Sequence, residues 1–226
     1  MTGIVDYNAG NIKSVERAFS ALHTPFVLSK NPRDLETADR IIFPGVGDAA
    51  YAMEQLRLTG FDTFLADWAA SGKPLMGICI GAQIMFDYSE EQDTKCLGLI
   101  AGSIRHFSEL WNERHPNEEE HKEHAMLRNN RKVPHMGWND VTFCGAESKL
   151  LAGIPDHSDF YFVHSYVIHP MDPAVIRGYA DYGTMVPAVI EKDNLSAFQF
   201  HPEKSGEWGL RILKNYVAAD NSEGGR

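Results

Sequence analysis

The stretch Gly77-Ile78-Cys79-Ile80-Gly81 constrains this chain more than any other. It sets one cysteine between two glycines, after the run Lys73-Pro74-Leu75-Met76 and before Ala82-Gln83-Ile84-Met85-Phe86. The first run predicts a short buried strand, the second a helix with an apolar stripe. Glycines two residues to either side permit a tight, strained strand-to-helix bend that pushes the intervening side chain out of the backbone. A helix starting there aims its free N–H groups and positive dipole end at the sulfur, which favours thiolate. A small, inert cysteine buried at a strand end fits the same letters, so partners elsewhere in the chain must decide.

Such partners stand near the other end. Ser196-Ala197-Phe198-Gln199-Phe200 reads as a strand, with His201-Pro202-Glu203 at its mouth. Residues i and i+2 of an extended segment share a face, so Glu203 is expected to reach the His201 ring and hold it in one tautomer. Pro202 cannot continue a sheet ladder. Alone, His-Pro-Glu describes many turns. Paired with the elbow, Cys79, His201 and Glu203 become candidate nucleophile, base and orienting acceptor, a set recognised by geometry and not by chain order.

Strands and helices alternate through the first half: Gly3 to Asp6, a helix from Asn11 to Leu22, then Phe26 to Leu28, Arg40 to Phe43, and helices through Ala70. Ile12, Val15, Ala18, Phe19 and Leu22 fall at helical spacing. This order predicts an α/β fold, a doubly wound, flavodoxin-like sheet with ligands at the C-terminal ends of its parallel strands. Phe160 to Ile168, Val175 to Tyr179 and Val186 to Ile190 read as further strands, an antiparallel extension of a mostly parallel sheet. Gly206 to Val217 predicts a closing helix. One domain over 1–218 and a polar tail over 219–226 are expected.

Trp111 to His124 is dense in His and Glu. His121 and His124 could share a helix face toward a metal, but nothing apolar flanks the run, so the segment 112–124 reads as a solvated loop. His23, His106, His157 and His169 read as surface or edge residues. The net charge of −10 disfavours nucleic acid or anionic membrane as a partner. No apolar run approaches the ~20 residues of a membrane span, and the N-terminus lacks a signal-peptide layout. Cys79, Cys96 and Cys144 are odd in number and far apart, as expected of a reducing cytoplasm with neither a disulfide framework nor a zinc site.

Further motifs complete the set: Asp6-Tyr7-Asn8-Ala9-Gly10-Asn11, Phe43-Pro44-Gly45-Val46-Gly47, Val133-Pro134-His135-Met136-Gly137-Trp138-Asn139, Tyr161-Phe162-Val163-His164-Ser165-Tyr166, and Lys204-Ser205 after His-Pro-Glu. With them, from Ile4 to about Tyr216, the chain resembles the class I, triad-type glutamine amidotransferases. Within these it is most similar to the glutaminase subunits of imidazole glycerol phosphate synthase, which serve histidine biosynthesis. The elbow and His-Pro-Glu belong to the whole superfamily, whereas the Pro-Gly-Val-Gly, Pro-His-Met-Gly-Trp-Asn and Phe-Val-His-Ser-Tyr runs narrow it to this subunit type.

The resemblance implies that Cys79 attacks the side-chain carboxamide of glutamine. The oxyanion would be held by the Ile80 N–H and by Val46 or Gly47. Gly45, Gln83 and the His164-Ser165-Tyr166 backbone would bind substrate, although strand packing is the plain alternative for His164 and Tyr166. It implies no cofactor and no metal. The implied partner is a (β/α)8-barrel cyclase subunit in a heterodimer, taking up the released ammonia, with Asn11, Met136, Trp138 and Lys204 at the interface. It further implies that the Pro44–Gly47 loop supplies its donor only when the barrel's nucleotide is bound. Two other readings share the motifs: a paralogue feeding ammonia to a sugar-amidinating partner in surface-polysaccharide synthesis, and a non-catalytic relative of the peptidase-like type. Ala82, where the family often has methionine, and Asp48-Ala49-Ala50, where a phenylalanine is frequent, depart from the pattern without touching the triad.

Overall fold

The computed structural model describes residues 1–8, 12–114 and 132–219. Asn11, the run from His115 to His124 and the tail 220–226 lie outside the described residues. Strand and helix alternate as the spacing predicts: β1 (Thr2–Val5), α1 (Ile12–Ala21), β2 (Phe26–Ser29), β3 (Arg40–Gly45), α2 (Ala49–Thr59), α3 (Phe61–Ala70), β4 (Leu75–Cys79) and α4 (Ile80–Gln83). Next come β5 (Tyr88–Ser89), β6 (Thr94–Lys95), β7 (Gly102–His106) and α5 (Phe107–Arg114). After them follow β8 (His135–Phe143), β9 (Ser158–His164), β10 (Tyr166–Pro170), β11 (Ile176–Asp181), β12 (Met185–Lys192), β13 (Leu195–Phe198) and α6 (Gly206–Ala218).

Local chemistry explains the boundaries. Asp48 caps α2 by accepting from the Tyr51 N–H at 2.8 Å, and Gly60, at φ 76°, ends it in the left-handed conformation that residues with a Cβ rarely adopt. Val15, Ala18 and Phe19 bury one stripe of α1, and Ile212, Leu213 and Tyr216 one stripe of α6. Tyr216 also donates its hydroxyl to the Ile41 carbonyl at 2.7 Å, tying α6 to β3.

Among the described residues one sheet runs β2-β1-β3-β4-β13-β12-β11-β8-β9. Its first five strands are parallel, in the flavodoxin-like order. From β13 onward every pairing is antiparallel. Five parallel strands are thus continued by an antiparallel extension of four. A second sheet runs β10-β7-β5-β6.

Three elements differ from the sequence expectation. The helix predicted through Phe86 stops at Gln83, because the carbonyls of Ile84, Met85 and Phe86 accept from Leu97 to Ile100 at 2.8–3.0 Å and not from the next helical turn. Apolar side chains buried on all sides read alike in either conformation. The strand predicted from Phe160 to Ile168 breaks at Ser165. There the chain leaves the larger sheet, where β9 pairs with β8, for the smaller one, where β10 pairs with β7. The Glu/His-rich loop begins as helix, since α5 extends to Arg114. Trp111 packs on Phe107 with ring centroids 5.3 Å apart and donates to the Tyr182 carbonyl at 3.3 Å.

The antiparallel half curls back over the ends of the parallel strands. The His201 N–H donates to the Tyr161 carbonyl of β9 at 2.9 Å, and the Val163 carbonyl lies 3.8 Å from the Cys79 sulfur. A cleft between the two halves results, at the position where such folds bind ligands.

Candidate active site

Cys79 carries the strain of the elbow itself, with φ 57° and ψ −115°, outside the basins of ordinary L residues. Its flanking glycines do a different job from the one their letters suggest. Neither has a positive φ; both are required by close approach. A Cβ on Gly81 would sit far inside van der Waals contact with the Phe43 carbonyl oxygen, and one on Gly77 would meet the Ala82 backbone at 2.8 Å. The elbow is a strained residue clamped where strands and turn press backbone against backbone. Because α4 is a single turn, its dipole contributes less to the sulfur than the predicted helix would have.

The Cys79 partner arrives by the sheet ladder. In the parallel pairing of β4 with β13, Ile78 lies opposite Phe198, so the chain delivers Cys79 and His201 from adjacent strands to one edge. His201 is 1% exposed. Its Nδ1 lies 2.8 Å from Glu203 Oε1, and both side chains are 2% exposed. The contact is the expected one, but its route differs. Pro202–Lys204 forms a 3-10 turn that folds Glu203 back under the ring, where the sequence suggested an extended i, i+2 pair. Ser205 locks this turn, donating its hydroxyl to the His201 carbonyl at 2.7 Å while accepting from the Tyr161 N–H at 2.9 Å. His201 Nε2 is buried with no nitrogen or oxygen partner, which leaves it to the sulfur. Burial opposes a charged imidazole, but the negative charge of the Cys79 sulfur and the Glu203 carboxylate outweigh it, and the His201 pKa is pushed up to about 10. The His201 ring is thus held as imidazolium over the neutral range.

Above this pair lies a cavity of about 260 Å³. Val46, Gly47, Ile80, Gln83, His164, Ser165 and Tyr166 line it together with Cys79 and His201. Glu203 stands behind His201. Gly45 is not on the cavity wall: it packs under the elbow, where a Cβ would meet the Gly81 nitrogen and the Tyr7 hydroxyl at 2.6 Å. Gly47, at φ 100°, has open space where its Cβ would be, so there the need is conformational. Gln83 donates from Nε2 to the Tyr166 carbonyl and to Gln199 Oε1, each at 3.0 Å, leaving Oε1 as its remaining acceptor. Met136 and Trp138, 63% and 57% exposed, form an apolar patch on β8. Trp138 packs edge-on to Tyr161, with centroids 6.1 Å apart, and lies 4.0 Å from where a Gly206 Cβ would sit, close to Lys204. The patch adjoins the turn that holds the triad.

Residues 3–219 match the family described as glutamine amidotransferase class-I. The chain belongs to that family. It is 44% identical over 96% of its length, and 96% of the relative's, to the imidazole glycerol phosphate synthase subunit HisH of Nitratidesulfovibrio vulgaris (strain DSM 19637 / Miyazaki F). It is 38% identical to the HisH subunit of Herpetosiphon aurantiacus, over 99% of this chain and 97% of that one. Its fold is similar to that of a crystal structure of a glutamine amidotransferase, with TM-score 0.67 and 15% identity over 96% and 97% of the two chains. PurLQS from Thermotoga maritima is likewise similar, with TM-score 0.65 and 16% identity over the same shares.

For a class I glutamine amidotransferase, the cavity also holds three residues that sequence reasoning missed: Glu91, Pro134 and Val163. Glu91 is the most informative. Its Oε2 accepts from the Ala49 N–H at 2.8 Å, at the start of α2 and directly behind the Val46-Gly47 turn. Burial raises its pKa, the Ala49 N–H opposes this, and the carboxylate faces the cavity half-buried. Such a group can receive the ammonium of a free amino acid. Nothing in the sequence marks it, because one acid of the pair Glu90-Glu91 is indistinguishable from a surface charge. Ala49, one of the family departures, supplies the N–H that holds it. Among the described residues, no helix is long and apolar enough to cross a membrane.

Proposed function

We infer that the chain is the glutaminase subunit of imidazole glycerol phosphate synthase in histidine biosynthesis, hydrolysing glutamine to glutamate and ammonia. The observation that carries this reading is 38–44% identity to HisH subunits along nearly the whole chain, with Cys79, His201 and Glu203 assembled at the cavity.

The geometry supports the following course. Glutamine enters with its amino-acid end toward Glu91 and the His164-Ser165-Tyr166 segment, and its carboxamide over Cys79. The thiolate attacks the carboxamide carbon. The oxyanion meets the Ile80 N–H and, from the facing loop, that of Val46 or Gly47; each such donor is worth ~3–4 kcal/mol in comparable sites. His201, protonated from the outset, gives its proton to the departing nitrogen. Ammonia leaves, and the now neutral His201 takes a proton from the water that hydrolyses the glutamyl thioester. Glu203 stabilises the imidazolium at each stage. Ammonia released into water near neutrality becomes ammonium, which is not a nucleophile. The reading therefore includes a cyclase subunit of (β/α)8 form, docked over Met136, Trp138 and Lys204 and taking ammonia directly. The Pro44–Gly47 loop would complete the oxyanion site only when that partner carries its nucleotide, so the isolated chain would hydrolyse glutamine slowly.

Glutamate release, measured with and without a cyclase subunit carrying its nucleotide ligand, tests the reading. The expected rate is low alone and orders of magnitude higher in the loaded complex. A rate unmoved by the partner would count against it. The charge state of His201 adds a second test. Because its pKa lies near 10, kcat/KM should stay level up to about pH 9 and fall as the proton is lost through about pH 10. A limb rising through pH 6–7 would instead mean an ordinary histidine acting first as a base.

A further inference from the structure

A chain of buried hydrogen bonds reaches the cavity wall from β8, and none of its outer members touches the reacting atoms. It starts from a fixed point. The Tyr166 carbonyl can only accept, and His164 Nδ1 lies 2.7 Å from it, so Nδ1 carries the proton. Burial, and then the neighbouring His135, lower the His164 pKa to about 3, so the ring is neutral and its Nε2 must be an acceptor. His135 Nδ1 lies 3.0 Å from that Nε2 and must donate to it. His135 Nε2 is then an acceptor in turn, and Asn139 Nδ2 approaches it at 3.3 Å while also donating to the Asp181 carbonyl at 3.0 Å. One carbonyl thus sets the direction of each bond in the series, and every one runs toward the cavity.

The rings are held as firmly as their protons. His135 is 3% exposed and stacked between Tyr182 and Phe162, with centroids at 3.9 and 4.7 Å and planes 19° from parallel in both cases. It stands opposite His164 in the β8–β9 register. At the inner end, the Tyr166 carbonyl also accepts from Gln83, a residue of the cavity wall.

We propose that His135 is a positioning residue for substrate binding: by donating from Nδ1 it fixes the tautomer and orientation of His164, and through His164 it holds the Tyr166 carbonyl and Gln83 where glutamine meets them. This rests on the reading that the cavity takes glutamine. His135 is not among the residues that line the cavity with Cys79 and His201, so its effect falls on ground-state binding more than on the chemical step. Without it, His164 Nε2 is left buried and unpaired, and the ring is free to turn.

The test is steady-state glutamine hydrolysis in the complex with the loaded cyclase subunit, for the native chain, His135→Phe and His135→Asn. Phenylalanine keeps the stack between Tyr182 and Phe162 and removes both hydrogen bonds. Asparagine loses the stack but keeps a donor at the Nδ1 position. His135→Phe should raise KM for glutamine about tenfold with kcat within about twofold, and His135→Asn should recover most of that affinity. Equal melting temperatures of native and His135→Phe proteins establish that the shift is not loss of fold; where they differ, the recovery in His135→Asn decides. An unchanged KM in His135→Phe overturns the proposal, as does a loss in both variants that falls on kcat. If the native complex itself does not hydrolyse glutamine, the functional reading fails and the proposal with it.

Discussion

Cys79→Ala should reduce glutamine hydrolysis in the loaded complex by at least ~10⁴-fold, since removing one member of such a triad costs nearly as much as removing all three. The same complex supplied with ammonium salt at alkaline pH should still make the cyclase products, because the substitution removes the source of ammonia and nothing the acceptor needs. Alanine fills the site with less volume and no charge. His201 then loses the sulfur that raises its pKa and keeps only Glu203. The variant should therefore fold, and measuring both activities on one preparation separates the chemistry from the assembly. Residual hydrolysis within tenfold of native would exclude Cys79 as the nucleophile. Loss of the ammonium-driven reaction would mean that the substitution had disturbed the complex.

The second large effect is expected at a residue that touches no substrate. Gly81→Ala places a methyl group against the Phe43 carbonyl, which belongs to a central strand and cannot recede. Overpacking of this kind costs ~1–3 kcal/mol, and a backbone neighbour puts the cost at the upper end. For a chain of this size that is a fall in melting temperature of roughly 5–10 °C. Relief is available only by moving the elbow, so hydrolysis should drop by more than ~100-fold even where the protein remains folded, as a displacement of about 1 Å suffices for that loss. Gly47→Ala is the control. There the space is open, and only the backbone angle resists the substitution. A Gly81→Ala protein with native activity would show that the strand bearing Phe43 yields, and that the elbow is less tightly clamped than its contacts indicate.

The catalytic residues were legible because each sits in a short motif whose chemistry is local: Cys79 between glycines at a strand end, His201 and Glu203 two residues apart. What the motif could not convey was the means. The strain falls on Cys79 and not on its glycines, and Glu203 reaches the ring through a 3-10 turn. The parallel half of the sheet could be read from alternation. Its curl could not, because β9 closes on the turn after β13 through the Tyr161 main chain and on the elbow through the Val163 carbonyl, atoms that any residue could supply. The same reason hid Glu91 and His135. Their importance comes from what they face across the fold, the Ala49 N–H in one case and His164 in the other, and those contacts span 42 and 29 positions of sequence. The helix predicted through Phe86 failed on a different ground. An apolar run buried on every side has no period to read.

The adjacency of β4 and β13 has one more consequence. Cys79 and His201 lie far apart along the chain, yet their separation is set by a single parallel ladder between neighbouring strands at the centre of the sheet. Everything between those strands leaves from and returns to that ladder. Apart from β9, whose Tyr161 and Val163 main chain meets the His201 turn and the sulfur, segments there can lengthen or shorten without altering the distance between sulfur and imidazole. A lineage carrying this fold can therefore reshape its docking surface for a new acceptor while the ammonia-releasing pair stays in register.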